Sequence, residues 1–319
     1  MGGRSSGAGT LSWTMPSPGS AARTPPGRGS RGCTCSTRTT PTRRAEPYAS
    51  RYPDRPYLAE IAWTDAQVGR LVDALDARGD LDRTWIVVLA DHGEGLGAHG
   101  EGLHGVLLYD ATTRIPLIIR PPGGRAEVKS VGFPVSLVDV APTVLSAVGA
   151  PALVDIDGLD LTPWLGPAAP EPRTDRAVVL ESLYAWRHYG WAPQRAVVDP
   201  LFKLIDGPRP ELYSRDDADE TSDLSALRPV VVRGLQQYTA EAYAGFAPAD
   251  GVAAEAGQDA DRLAQLEALG YLTTGAGVRS DDVPFRGDLP SPVEQLPVLR
   301  RTEDVRARIQ AGDLAGAEA

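Results

Sequence analysis

The chain has 319 residues, 42% of them hydrophobic, and a formal net charge of −10. That length holds one large domain or two smaller ones, and that apolar fraction fits a globular protein with a core. The acidic balance argues against a nucleic-acid binder, and no apolar run approaches the ~20 residues of a membrane-spanning helix.

Residues 1–45 stand apart. They are rich in Gly, Ser, Thr, Pro and Arg and contain no acidic residue before Glu46. The only two cysteines, Cys33 and Cys35, fall there, which gives neither a disulfide framework nor a cysteine zinc site. The first residues lack an apolar signal core, so no secretory signal is visible and no location is assigned. One reading of this stretch is a disordered basic tail.

From Pro56 the pattern turns regular. Leu58, Ile61, Ala62, Val68, Leu71, Val72 and Leu75 recur at helical spacing, with Gly79 as the stop. Thr84–Ala90 is a continuous β-branched run, read as a strand buried on both faces of a parallel sheet. Ile115–Arg120 reads as a second strand, closed by Pro121 and Pro122. Asp139–Val148 reads as a helix, with Asp139 as N-cap, Pro142 in the first turn and Gly149 beyond the end.

After Arg173 the character changes. Ala177–Leu180, Arg195–Val198 and Phe202–Ile205 read as strands of a small antiparallel sheet with helical cover, and Asp216–Asp223 as an acidic surface loop. Leu263–Tyr271 reads as a helix, Pro284–Pro297 as a Pro-rich linker, and Asp304–Ala319 as the opening of a helical hairpin broken at Gly312. Five segments follow: 1–45; an α/β segment over 46–172; a small antiparallel subdomain over 173–235; a tail and linker over 236–303; and the start of a helical repeat over 304–319. That repeat is a candidate surface for a protein partner.

The chemistry concentrates in Ala90–Asp110. Three of the four histidines, His92, His99 and His104, lie in this segment with glycines between them. Asp91 and His92 sit side by side at the end of a strand, where open α/β sheets bind ligands. A carboxylate beside an imidazole suits Ca, Mg, Mn or Zn. The competing reading is a glycine-rich surface loop with solvated histidines. His188 lies outside the cluster and reads as a satisfied or surface histidine.

Ala90-Asp-His-Gly-Glu94, Gly97-Ala-His-Gly100, His104-Gly, Leu108-Tyr-Asp110 and Arg114-Ile-Pro-Leu-Ile-Ile119 together resemble the C-terminal half of a sulfatase. Val135–Leu145, Asp157–Leu161, Arg195–Val198, Phe202–Ile205 and Glu211–Ser214 extend the resemblance in the same order. It implies an α/β fold: an alkaline-phosphatase-like sandwich, mostly parallel sheet with flanking helices, plus a small C-terminal antiparallel subdomain. It implies a sulfuric ester hydrolase acting on a small-molecule or glycan sulfate ester. Asp91 and His92 would be metal ligands, with Ca first among Ca, Mg, Mn and Zn. His104 would contact the sulfate or the leaving oxygen as cation or general acid. His99 matches a loop position and is carried as substrate-binding. Arg114 and Glu94 read as structural. Related phosphodiesterases, phosphonate monoester hydrolases and phosphoethanolamine transferases share this metal half, and a non-catalytic interaction module is the reading from a different class.

The family nucleophile, a Cys or Ser in Cys/Ser-x-Pro-x-Arg, is not encoded, and neither is the family's N-terminal acidic ligand pair. Back-translated with GC-rich codons and read one frame over, Gly29–Arg44 can become a family-like strand and Val-His-x-x-Asp-Pro-His motif. The second reading of residues 1 to about 44 is therefore an out-of-frame stretch. The chain is then expected to be an incomplete fragment.

Overall fold

The computed structural model describes residues 46–124, 130–166, 169–244, 288–310 and 313. Cys33, Cys35, the basic stretch 1–45, the helix expected over Leu263–Tyr271 and most of 311–319 lie outside those residues. The chain divides into two compact units, Met1–Glu60 and Ile61–Ala319.

In the first unit, α1 spans Tyr48–Arg51. The Glu46 carboxylate accepts from the Ser50 amide at 3.3 Å and the Ser50 hydroxyl at 2.8 Å. Helix α2, Pro56–Ala77, of which Ile61–Ala77 falls in the second unit, opens on a proline whose missing N–H costs nothing at that position. It ends where the Gly79 and Asp80 amides fold back onto the Asp76 and Leu75 carbonyls.

In the second unit, β1 (Ile86–Leu89) pairs with β2 (Leu117–Arg120). The expected strands are there, but the pairing is antiparallel, from Ile86↔Arg120 to Leu89↔Leu117. A parallel neighbour needs a crossover that returns the chain to the strand's starting end. Here the chain leaves β1 at Leu89, makes a glycine loop and the one-turn helix α3 (Asp110–Thr113), and re-enters beside the point of departure. The double burial expected of β1 is also not found, since Leu89 is 41% exposed and Ile86–Val88 are only partly buried.

Helix α4, Val140–Val148, ends at Gly149 as its sequence predicts. Asp139 is not its side-chain cap. It sits one turn earlier as the acidic partner of Ser136 in a capping box. It is fully buried, holding the Leu159 amide at 2.7 Å and the Arg176 guanidinium at 2.6 Å.

The antiparallel subdomain is a four-stranded meander: β3 (Val178–Ser182), β4 (Gln194–Val198), β5 (Phe202–Asp206) and β6 (Glu211–Ser214), with α5 (Tyr184–Tyr189) between β3 and β4. Ala196, Val197, Leu204 and Leu212 are 0% exposed. One face packs on α6 (Pro229–Ala244) through Val232 and Leu235. The other joins the buried run Val106–Tyr109.

The stretch 236–303, read as tail and linker, is helical at both described ends: α6 runs to Ala244, and α7 spans Pro292–Gln310. Pro292 opens α7 at no cost, and Pro297 inside it forfeits one backbone bond. Burial of Leu296 and Leu299 against Val106–Tyr109 offsets that loss.

Candidate active site

Strand β1 ends at Leu89, two residues before Asp91, and the chain turns sharply. The Gly93 amide donates to the Thr112 carbonyl at 2.8 Å. A Cβ on Gly93 would collide with the Ala111 carbonyl oxygen, so only glycine fits where the two backbones touch. The Gly95 amide donates to Leu103 at 2.6 Å, folding the loop back on itself.

This turn brings Asp91, His92, Glu94 and His104 together. Asp91 is largely solvent-facing, and its Oδ1 accepts from the His92 amide at 3.0 Å. The His92 Nδ1 lies 2.9 Å from the Gly93 carbonyl, which can only accept. Nδ1 therefore carries the proton, and Nε2 points its lone pair outward, 3.8 Å from Asp91 Oδ2. The His104 ring stacks on His92 with centroids 3.8 Å apart and planes 25° from parallel. Its Nδ1 faces the buried Glu94 carboxylate at 3.4 Å, and Nε2 has no hydrogen-bond partner among the described residues.

The backbone around His104 is closed by residues that pattern reading missed. Buried Glu101 accepts from the Val106 and Leu107 amides at 2.8 and 3.2 Å. The Ser182 hydroxyl of β3 donates to the Gly105 carbonyl. Behind it, Lys203 of β5 reaches Asp110 at 2.7 Å, Glu220 at 2.9 Å and the Thr113 hydroxyl at 3.2 Å. Lys203 and Glu220 are 1% and 3% exposed, so the expected acidic surface loop turns one carboxylate inward. A lysine flanked by Phe202, Leu204 and Ile205 in a strand pattern was the available signal for it.

His99 is not part of the cluster. Its ring lies flat on Tyr109 with centroids 3.6 Å apart, and its Nε2–H donates to the Asp219 carbonyl at 3.0 Å. Tyr109 and Tyr213 both donate to Glu211 Oε2 at 2.6 Å. Burial, and then the Glu211 carboxylate, push both phenols well above their ordinary range. Arg114 reaches Asp110 only at 4.0 Å from an exposed position, and His188 stacks on Tyr184 within α5.

Asp91 Oδ2 and His92 Nε2 have the donor chemistry for one edge of a divalent-cation shell. Among the described residues no group of three or more His, Cys, Asp or Glu could hold a metal ion. The donor set fits part of a cation site and not a whole one.

Against known proteins, the Sulfatase family model matches residues 18–150, reaching into the stretch for which an out-of-frame reading stands. The chain is 36% identical over 175 residues to a protein of Escherichia coli K12 named uncharacterized sulfatase YidJ, covering 53% of this chain and 33% of that one. It is 34% identical over 180 residues to N-acetylglucosamine-6-O-sulfatase of Bacteroides thetaiotaomicron, covering 54% and 30%. A solved structure of yidJ from Bacteroides fragilis superposes with a TM-score of 0.51 at 20% identity, covering 62% of this chain and 44% of that one. The chain thus spans about a third of the length of the curated relatives it matches.

Proposed function

We propose that the chain is a sulfatase-family member, a reading supported by its match to the Sulfatase model and its similarity to curated sulfatases, and that it serves the hydrolysis of sulfate esters by carrying the metal-edge and proton-donor half of the site. The observation behind this reading is the His92–His104 stack at the end of β1, beside Asp91. His104 has its Nδ1 side occupied by Glu94, and among the described residues nothing bonds its Nε2. A group held that way can stabilise negative charge on a sulfate oxygen or protonate a departing alcohol oxygen. Asp91 and His92 would supply two ligands to a divalent cation, Ca first, which contributes charge neutralisation when bound. Two donors do not complete such a cation's shell.

The chain has no Cys/Ser-x-Pro-x-Arg segment, so the nucleophile must come from residues that it does not contain. The chain alone should therefore give no turnover of 4-nitrophenyl sulfate, with or without added Ca. Turnover that EDTA and Asp91→Ala abolish would show a complete site and overturn the half-site reading. Sequencing the genomic DNA upstream tests the remainder. An upstream Cys/Ser-x-Pro-x-Arg, in the frame of Glu46 onward, is the expected result. Its absence from every frame sinks the sulfate-ester reading.

A further inference from the structure

Helix α7 lies far along the chain from the histidine loop, yet it is packed on it. Leu296 and Leu299 are buried in the cluster that holds Val106–Tyr109. Arg300 Nε donates to the Gly100 carbonyl at 2.8 Å from an exposed position. Gly100 has a φ of +91°, and a Cβ there would sit 2.9 Å from Leu296 Cδ1 and 3.3 Å from Arg300 Nη2. The preceding residue, His99, is also left-handed, with φ 48°. A left-handed histidine costs conformational energy, and that turn persists only where surrounding contacts hold it.

The position of this bond is informative. Gly100 is followed by Glu101, whose carboxylate accepts from the Val106 and Leu107 amides and closes the loop that carries His104. A donor that fixes the Gly100 carbonyl therefore fixes the stem of that loop. The stem turns one way to His99 on Tyr109 and the other way to His104 on His92.

We propose that Arg300 is a positioning residue for the histidine loop, acting from α7 through the Gly100 carbonyl. Its relevance to catalysis rests on the reading of His104 given above, but the clamp itself does not. Its test accordingly needs no turnover. With four histidines in the chain, the imidazole C–H resonances of His99 and His104 can be assigned by substitution. Their ring-current shifts report the two stacks directly.

Arg300→Ala should move both resonances toward unstacked values and speed amide exchange over Ala98–Leu103 about tenfold. Arg300→Lys, which keeps a charged donor, should restore both. Arg308→Ala removes a surface arginine of the same helix that pairs with Asp304, and should leave both at wild-type values. Unchanged resonances and exchange in Arg300→Ala would overturn the proposal. An equal change in Arg308→Ala, or no recovery in Arg300→Lys, would do so as well.

Discussion

The two sheets of the second unit are built differently. The β3–β6 meander has four strands, a helix on one face and a row of residues with no exposed area. The β1–β2 pair has two strands and leaves Leu89 and Ile118 open to solvent. An apolar hollow of about 580 Å³ lies beside it, lined by Leu89, Leu137, Val140, Ala141, Val144 and Leu145. A two-stranded sheet is marginal in isolation, and three or more strands with a covered face are needed for independent stability. The catalytic candidates sit at the end of the weaker sheet, yet the loop that carries them is fastened to the stronger one. Ser182, Lys203, Glu211 and the Asp219–Glu220 turn all reach it from the meander.

If the meander holds the site, breaking its buried charges should have the largest effect. Lys203→Met removes the cation between Asp110 and Glu220 and leaves two carboxylates facing each other out of water. Breaking a buried pair on one side costs about 3–5 kcal/mol. Urea unfolding should report that loss. Pairing Lys203→Met with Asp110→Asn and Glu220→Gln should recover part of it. A loss below about 1 kcal/mol would mean the triad is not what joins loop and meander.

The second test is alkaline. Tyr109 and Tyr213 share the Glu211 carboxylate, and both phenols are raised by burial first and by that charge second. Tyr243 is pushed up to about 12 by burial and then by Glu181. An acid whose folded pKa is raised stabilises the fold fully below its unfolded value, about 10 for tyrosine. That contribution is lost as pH rises beyond it. Absorbance at 295 nm should therefore show these phenols ionising after the exposed ones, together with the loss of structure. Glu211→Gln should bring the step to lower pH. Ionisation of every tyrosine near pH ~10 with the fold intact would remove the Tyr–Glu211 link between loop and meander.

The contrast between sheets explains what could be read in advance. Helix α2, both strands β1 and β2, α4 and three strands of the meander follow from periodicity and from their stop residues, because local pattern decides them. The direction of the β1–β2 pairing does not follow, because it depends on the path of the intervening loop and not on either strand. That Asp91, His92 and His104 come together was legible because glycines and histidines cluster in one short segment, and their roles as candidates came from the resemblance that segment carries. Lys203, Glu220 and Arg300 were not legible, because each acts across a long span, up to Arg300 on Gly100, and Glu101 was not, because no periodicity marks a glutamate that holds the amides five and six residues on. A lysine in a strand or an arginine on a helix carries no mark of its distant partner. His99 was carried with the site because it matches a loop position of the resembled family, and a left-handed turn sends its ring to Tyr109 instead.

The smallest expected effect is the sharpest test of the open side. Leu89 is exposed at the rim of the hollow, two residues before Asp91. In a closed core its replacement by Ser would carry both a transfer loss and a cavity loss, as expected for fully buried Leu204, where Leu204→Ala should cost about 2–5 kcal/mol. At an open rim there is no cavity to create, and only part of the side chain leaves an apolar surrounding. Leu89→Ser should therefore cost under ~1 kcal/mol by urea unfolding. It should also lower binding of the dye ANS, which reports exposed apolar surface. A cost for Leu89→Ser equal to that of Leu204→Ala would mean that the hollow is covered in solution. In that case the two sheets differ far less in packing than their strand counts imply.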